Sequence, residues 1–316
     1  MSTPLPLLKS LQESVKRAAD QQVGPGMHSG LQDALNSARA VDPEQREEFR
    51  RLVARIVPDV ESPTGAGQLA IWLGSSVEAG CPAEATASPL VDAFLRWSRQ
   101  LVTTEAAEDP AADEDQVIGL QMLGQALVAH VSSDQALRTS IGACSELQSE
   151  LDRIEDLTPG AWWLRGLLLQ RSGTLNIVHL DQKMGIRLSY SNVTNCFHLL
   201  TLIQGQLEGA LPGARPADAQ VMSVAMGETW DEVTDEAWWD YLVVESGALV
   251  ALDGQQSPES IPSHDGAQVI FVRAASTAGL SWDGGFFAPV LSASPPKVSL
   301  DRPLTAAEVS AIASQV

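Results

Sequence analysis

The sequence predicts an α+β protein whose two parts are built differently. An all-α, helical N-terminal domain covers residues 1–157, and a smaller α+β domain with an antiparallel-rich sheet covers residues 158–316. Three observations carry this. Apolar residues recur at helical spacing as far as Thr158 and Pro159. Beyond them the pattern changes to short alternating runs separated by Gly-centred turns. Six of the eight tryptophans (Trp162, Trp163, Trp230, Trp238, Trp239, Trp282) and both tyrosines (Tyr190, Tyr241) also lie beyond the change. A chain of 316 residues exceeds what one compact core usually holds, so two domains are the default.

Leu8, Leu11, Val15 and Ala18 place one apolar stripe on an opening helix. Asp42 and Pro43 then supply an N-cap acceptor and a proline at the first helical position. Phe49, Leu52, Val53, Ile56 and Val57 form the buried face of that helix, and Pro58 ends it. Its glutamates come early (Glu44, Glu47, Glu48) and its arginines late (Arg50, Arg51, Arg55), as the helix dipole favours. Residues 67–79 read as a helix closed by Gly80 and Pro82. Ser88 and Pro89 open the next one, with Leu90, Val91, Phe94, Leu95, Leu101 and Val102 inward. Residues 103–115 read as an acidic loop. Glu105, Glu108, Asp109, Asp113, Glu114 and Asp115 repel one another there and no base offsets them. Residues 117–131 form an apolar helix. Residues 134–156 read as one long helix with Leu137, Ile141, Cys144, Leu147, Leu151 and Ile154 in a single seam.

Thr158 and Pro159 cap a helix through residue 169. Residues 174–180 and 186–192 then alternate at period two about a turn at 181–185, which predicts a hairpin. Asn195 begins a helix with Cys196, Leu199, Leu200, Ile203 and Leu207 inward. Residues 217–226 form a shorter helix closed by Gly227, and residues 248–252 and 267–274 read as two further strands. Thr305 and Glu308 form a capping box for a terminal helix. Strands and helices do not alternate regularly, so parallel βαβ winding is not expected.

The net charge of −20 is spread over both parts, with 24 acids against 12 bases before residue 158 and 16 against 8 after it. An acidic protein lacks the basic face that nucleic acid phosphates or an anionic membrane require, so neither is expected as a partner. It suits a basic protein partner. Only Lys9, Lys16, Lys183 and Lys297 are lysines; with abundant Ala and Arg this reads as a bacterial, high-GC coding bias. Cys81, Cys144 and Cys196 form no CxxC pair, which fits a reducing cytoplasm. No leader-like N-terminus and no apolar run of membrane-spanning length is present.

Several stretches carry possible chemistry, each with an ordinary structural reading beside it. Gly65, Gly67 and Ala70 match GxGxxA, but a helix and a Pro-containing loop precede them where a dinucleotide site needs a strand. Close helix packing is therefore the expected role, and no bound cofactor is expected. A P-loop and a GxSxG elbow are both absent.

Cys196 sits at a helix N-terminus, where exposed N–H groups would stabilise a thiolate. With His179 as base and Asp181 as its partner, it makes a candidate nucleophilic set. The structural reading is that Cys196 is a small core residue. A zinc site from Cys196, His198 and His179 lacks a fourth ligand, so no metal is expected.

Residues 228–245 hold seven acids and no base among Trp230, Trp238, Trp239 and Tyr241. Trp230, Asp231, Glu232, Asp235, Glu236, Trp239 and Tyr241 are the candidate surface for a basic partner. The structural reading is an amphipathic helix with its tryptophans in the core. His264 precedes an Asp265–Gly266 turn signal, and residues 281–287 mix turn residues with Trp282, Phe286 and Phe287.

The preferred expectation is a cytoplasmic, non-enzymatic binding or regulatory protein that engages a basic protein. The alternatives are a small cysteine-dependent enzyme using Cys196 and His179, and an acidic inhibitor or immunity-type protein.

Overall fold

The computed structural model describes residues 5–22, 24, 26, 29–38, 43–101, 110–235, 238–276, 280–282, 284–287, 290 and 294–314. The chain divides into two compact units, Met1–Leu168 and Leu169–Val316. Asp42, Glu105, Glu108, Asp109 and Glu236 lie outside the described residues.

The first unit is helical: α1 (Leu5–Asp20), α2 (Ser29–Ala38), α3 (Pro43–Ile56), α4 (Pro63–Glu78), α5 (Glu84–Gln100), α6 (Pro110–Ser133), α7 (Gln135–Gly142), α8 (Ser145–Ile154) and α9 (Pro159–Leu169). Helix α4 is apolar on nearly every face and is buried accordingly. Its glycines let neighbouring backbones touch. A Cβ on Gly65 would fall 2.0 Å from the Ala19 carbonyl oxygen, and one on Gly67 would fall 2.8 Å from Met122 Cβ. The GxGxxA stretch thus lies inside a helix and serves packing. A Cβ on Gly124 of α6 would likewise fall 2.6 Å from the Gly160 carbonyl carbon, a close approach that packs α9 against α6. The division between the units falls at Leu168 and Leu169, at the end of α9 and later than the change of pattern at Thr158.

Three local expectations are corrected. Helix α5 begins at Glu84, and Pro89 lies inside it. Proline forfeits one backbone hydrogen bond there, and burial of Leu90, Ala93 and Phe94 outweighs that loss. The expected long helix over 134–156 breaks after Gly142 and restarts at Ser145, with its apolar seam carried across the break by Ile141, Leu147, Leu151 and Ile154. Glu114 and Asp115 belong to α6 rather than to an acidic loop. Asp115 accepts from the Gly24 N–H at 3.0 Å and from the Thr64 hydroxyl. No described helix is long and apolar enough to cross a membrane.

The second unit is α+β. In chain order it comprises β1 (Arg171–His179), β2 (Met184–Val193), α10 (Cys196–Leu207), α11 (Ala219–Ala225), β3 (Val233–Asp235), β4 (Trp239–Glu245) and β5 (Ala248–Ala251). It continues with β6 (Ser263–His264), β7 (Ala267–Ala274), β8 (Leu280–Trp282), β9 (Lys297–Pro303) and α12 (Ala306–Ala313). A seven-stranded sheet has the order β5-β4-β7-β1-β2-β9, with β6 paired to β7 off that path. Strand β7 runs parallel to β1 and antiparallel to β4, so the sheet is antiparallel apart from one pair. Strands β3 and β8 make a separate two-stranded sheet.

Turn chemistry sets the hairpins. Ser246 (φ 52) and Gly247 (φ 78) join β4 to β5, and Asp265 (φ 48) and Gly266 (φ 79) join β6 to β7. One face of the sheet packs on α10 and α11 through Leu175, Ile177, Leu199 and Ile203. The other carries Val178, Val269 and Phe271, which pack against Val309 and Ile312 of α12. The capping box on α12 forms as the T-x-x-E spacing predicts. Arg302 adds hydrogen bonds of 3.0 and 2.6 Å to Glu308, and with the Thr305 bonds these hold that carboxyl well below the usual carboxylate range.

Candidate functional site

Helix α10 starts where Asn195 predicts, its side chain accepting from the His198 N–H at 2.7 Å. The helix N-terminus is nevertheless not open. The Cys196 N–H donates to the Gln256 carbonyl and the Phe197 N–H to the Gly254 carbonyl, both at 2.8 Å. The Cys196 side chain is fully buried and its Sγ lies 3.6 Å from the Ser257 carbonyl. Burial pushes its thiol up to about 11. The expectation of a stabilised thiolate is therefore corrected: the donors that would hold the charge are already spent on a loop.

His179 ends β1 and is buried edge-on to Trp239, ring centres 5.2 Å apart. Its Nδ1 accepts from the Gln182 N–H at 3.4 Å, which pins the β1–β2 turn. Asp181 is exposed in that turn. His179 and Asp181 line one open cleft of about 530 Å³ with Gln182, Arg215, Trp238 and Trp239. Cys196 belongs elsewhere. It neighbours Tyr190, whose strand partner is Gly173, six residues along β1 from His179. At the rise of a β-strand that is a separation of about 20 Å. The Cys196–His179–Asp181 set is thus divided between two ends of the sheet.

His198 is buried in α10 and donates from Nε2 to the Ala225 carbonyl at 2.9 Å, joining α10 to α11. Burial brings its pKa down to about 4. No group of three or more His, Cys, Asp or Glu side chains is placed to hold a metal among the described residues.

The Trp-rich segment forms strands instead of an amphipathic helix, and it divides in two. Trp230, on the loop before β3, is 57% exposed. Its ring lies against Gly284, where a Cβ would meet Trp230 Cε3 at 2.3 Å. Asp231 and Glu232 beside it are exposed, and Asp235 is half-buried at the end of β3. Trp239 and Tyr241 point the other way. With Trp238 they pack into the core shared with α10, so they are not part of an exposed partner surface.

These inward aromatics line a cavity of about 510 Å³ with Phe197, Leu200 and Trp282. The Trp282 Nε1 is satisfied by Thr201 Oγ1 at 3.0 Å. Trp238 Nε1, Trp239 Nε1 and Tyr241 Oη are buried with no acceptor among the described residues. Each such unmet group costs about 1–3 kcal/mol. Burial raises the Tyr241 pKa, so its phenol stays a donor. Sequence reasoning singled out Trp239 and Tyr241 as candidate partner-surface residues, beside a reading with the tryptophans in the core of a helix. The signal that places them inward is the aromatic and β-branched run from Trp239 to Val244, followed by the Ser246–Gly247 turn. Compared with known proteins, this chain matches no family model, no curated protein and no solved structure.

Proposed function

We propose that this chain is a cytoplasmic, non-enzymatic binding protein that engages a basic protein partner through the acidic surface around Trp230. The supporting observation is Trp230 itself, 57% exposed, seated on Gly284 and flanked by the exposed carboxylates of Asp231 and Glu232. Tryptophan is a preferred anchor of protein interfaces, and a rim of one charge sign selects a partner of the other. The overall charge of −20 favours encounter with the same class of partner. The burial of Cys196 and its distance from His179 support a role without covalent chemistry.

Affinity capture with the full chain, at low and high salt, tests this reading. A basic protein should be retained at low salt and released at high salt. Trp230→Ala should weaken that complex by about 2 kcal/mol or more while leaving unfolding free energy within about 0.5 kcal/mol. Retention unaffected by salt and by Trp230→Ala would reject the surface.

A further inference from the structure

The cavity behind β4 has a chemistry that the Trp230 surface does not share, and Trp230 is not among its lining residues. Its walls are rings: Phe197 stacks on Trp282 with centres 5.8 Å apart, and Trp238 leans on Trp282 at 5.1 Å. Three of its lining residues, Trp238, Trp239 and Tyr241, carry buried donors with no acceptor among the described residues. Trp238 is 7% and Trp239 6% exposed. An indole N–H can only donate, so the unmet demand in this wall is for acceptors.

Charge is already balanced at the cavity. The Asp240 carboxylate accepts from Arg273 Nε at 3.2 Å and from the Ser276 N–H and hydroxyl at 2.9 and 3.0 Å. Nothing there calls for an ionic ligand. All three unmet donors are sealed from water, so a solvent molecule does not satisfy them as the side chains stand. A guest whose oxygens reach these donors as the side chains adjust gains hydrogen bonds that the unliganded protein lacks.

We propose that this cavity binds a small, flat, uncharged and largely apolar molecule bearing carbonyl or ether oxygens. Its rings would lie among Phe197, Trp238 and Trp282, and its oxygens would accept from Trp238, Trp239 and Tyr241. A volume of about 510 Å³ accommodates two or three fused or linked rings.

Matched probes test it on the full chain. Coumarin and flavone carry acceptor oxygens; naphthalene and 2-phenylnaphthalene are hydrocarbons of similar shape. Saturation-transfer NMR and thermal shift should show the oxygenated member of each pair binding more tightly. Tyr241→Phe should weaken the oxygenated probes roughly three- to tenfold, the fold-change of one neutral hydrogen bond, and leave the hydrocarbons unchanged. Because the Tyr241 hydroxyl has no partner to lose, the unliganded variant should melt no lower than the parent. Trp239→Phe should act on the probes in the same direction. Equal binding of both members of each pair, no saturable binding by either oxygenated probe, or a clear drop in melting temperature for Tyr241→Phe would each overturn the proposal.

Discussion

Each unit buries a histidine between a carbonyl and a hydroxyl, and the two rings carry their protons on opposite nitrogens. In the helical unit, His130 Nδ1 donates to the Ala126 carbonyl at 2.7 Å, and Nε2 accepts from the Thr86 hydroxyl at 2.8 Å. In the second unit, His198 Nε2 donates to the Ala225 carbonyl at 2.9 Å, and Nδ1 accepts from the Thr194 hydroxyl at 3.3 Å. A carbonyl can only accept, so it fixes the tautomer in both places. The difference lies in reach. The carbonyl that holds His130 is one turn back on its own helix, whereas His198 takes its carbonyl from α11. Both rings bridge two helices, but through different groups: His130 reaches α5 through the Thr86 hydroxyl, whereas His198 reaches α11 through a backbone carbonyl. Imidazole 15N shifts at neutral pH should report the Nδ1–H form for His130 and the Nε2–H form for His198.

Acid should magnify this contrast, and the largest expected effect comes from there. Burial lowers both pKa values from 6.5, and brings His198 down to about 4. Between those two values the unfolded chain binds the proton that folded His198 refuses. Stability is therefore full above about pH 6.5 and is lost as the pH falls toward 4, by roughly 3 kcal/mol from His198. Urea unfolding at neutral and acid pH should show that slope, and His198→Gln should flatten it. An NMR titration in which His198 takes up its proton near pH 6.5 would break the comparison.

A second contrast is between glycines. Gly65→Ala drives a methyl into the Ala19 carbonyl, where backbone cannot retreat, and should cost about 2–3 kcal/mol by urea unfolding. Gly205, exposed in α10, meets only Met222 Cε at 3.6 Å and Sδ at 3.8 Å. Gly205→Ala should therefore stabilise by about 0.5–1 kcal/mol through helix propensity alone. A Gly65→Ala variant as stable as the parent would show that the α1 and α4 backbones do not touch at Gly65.

Features set by neighbouring residues were legible in the sequence. The 171–193 hairpin, the Asn195 cap, the Asp265–Gly266 turn and the Thr305–Glu308 box each depend on a few adjacent side chains. Features set by distant partners were not. Residues 228–245 carry seven carboxylates, enough to pass for an amphipathic helix, and only pairing with β5 and β7 makes Trp239–Glu245 a strand. The N-terminus of α10 reads as an open anion site until the carbonyls of Gly254 and Gln256, far along the chain, close it. Pro89 reads as a helix start because the burial that overrules it comes from tertiary packing. The cavity was out of reach for the same reason, since its walls come from four separate stretches of chain.

The single parallel pairing carries a consequence for biosynthesis. Strand β7 sits between β4 and β1, and its residues 268–272 align with 175–179. The β1–β2 hairpin leaves the ribosome with its β1 edge uncovered, and that edge waits for about 75 further residues, from Val193 to Gln268, to be made. Over this interval a strand rich in Leu175, Ile177 and Val178 presents unpaired backbone groups to any neighbouring chain. The helical unit satisfies most of its backbone within each helix and exposes no such strand edge. Misassembly during synthesis should therefore begin at β1, and slowing translation between residues 180 and 268 should lower the yield of folded protein.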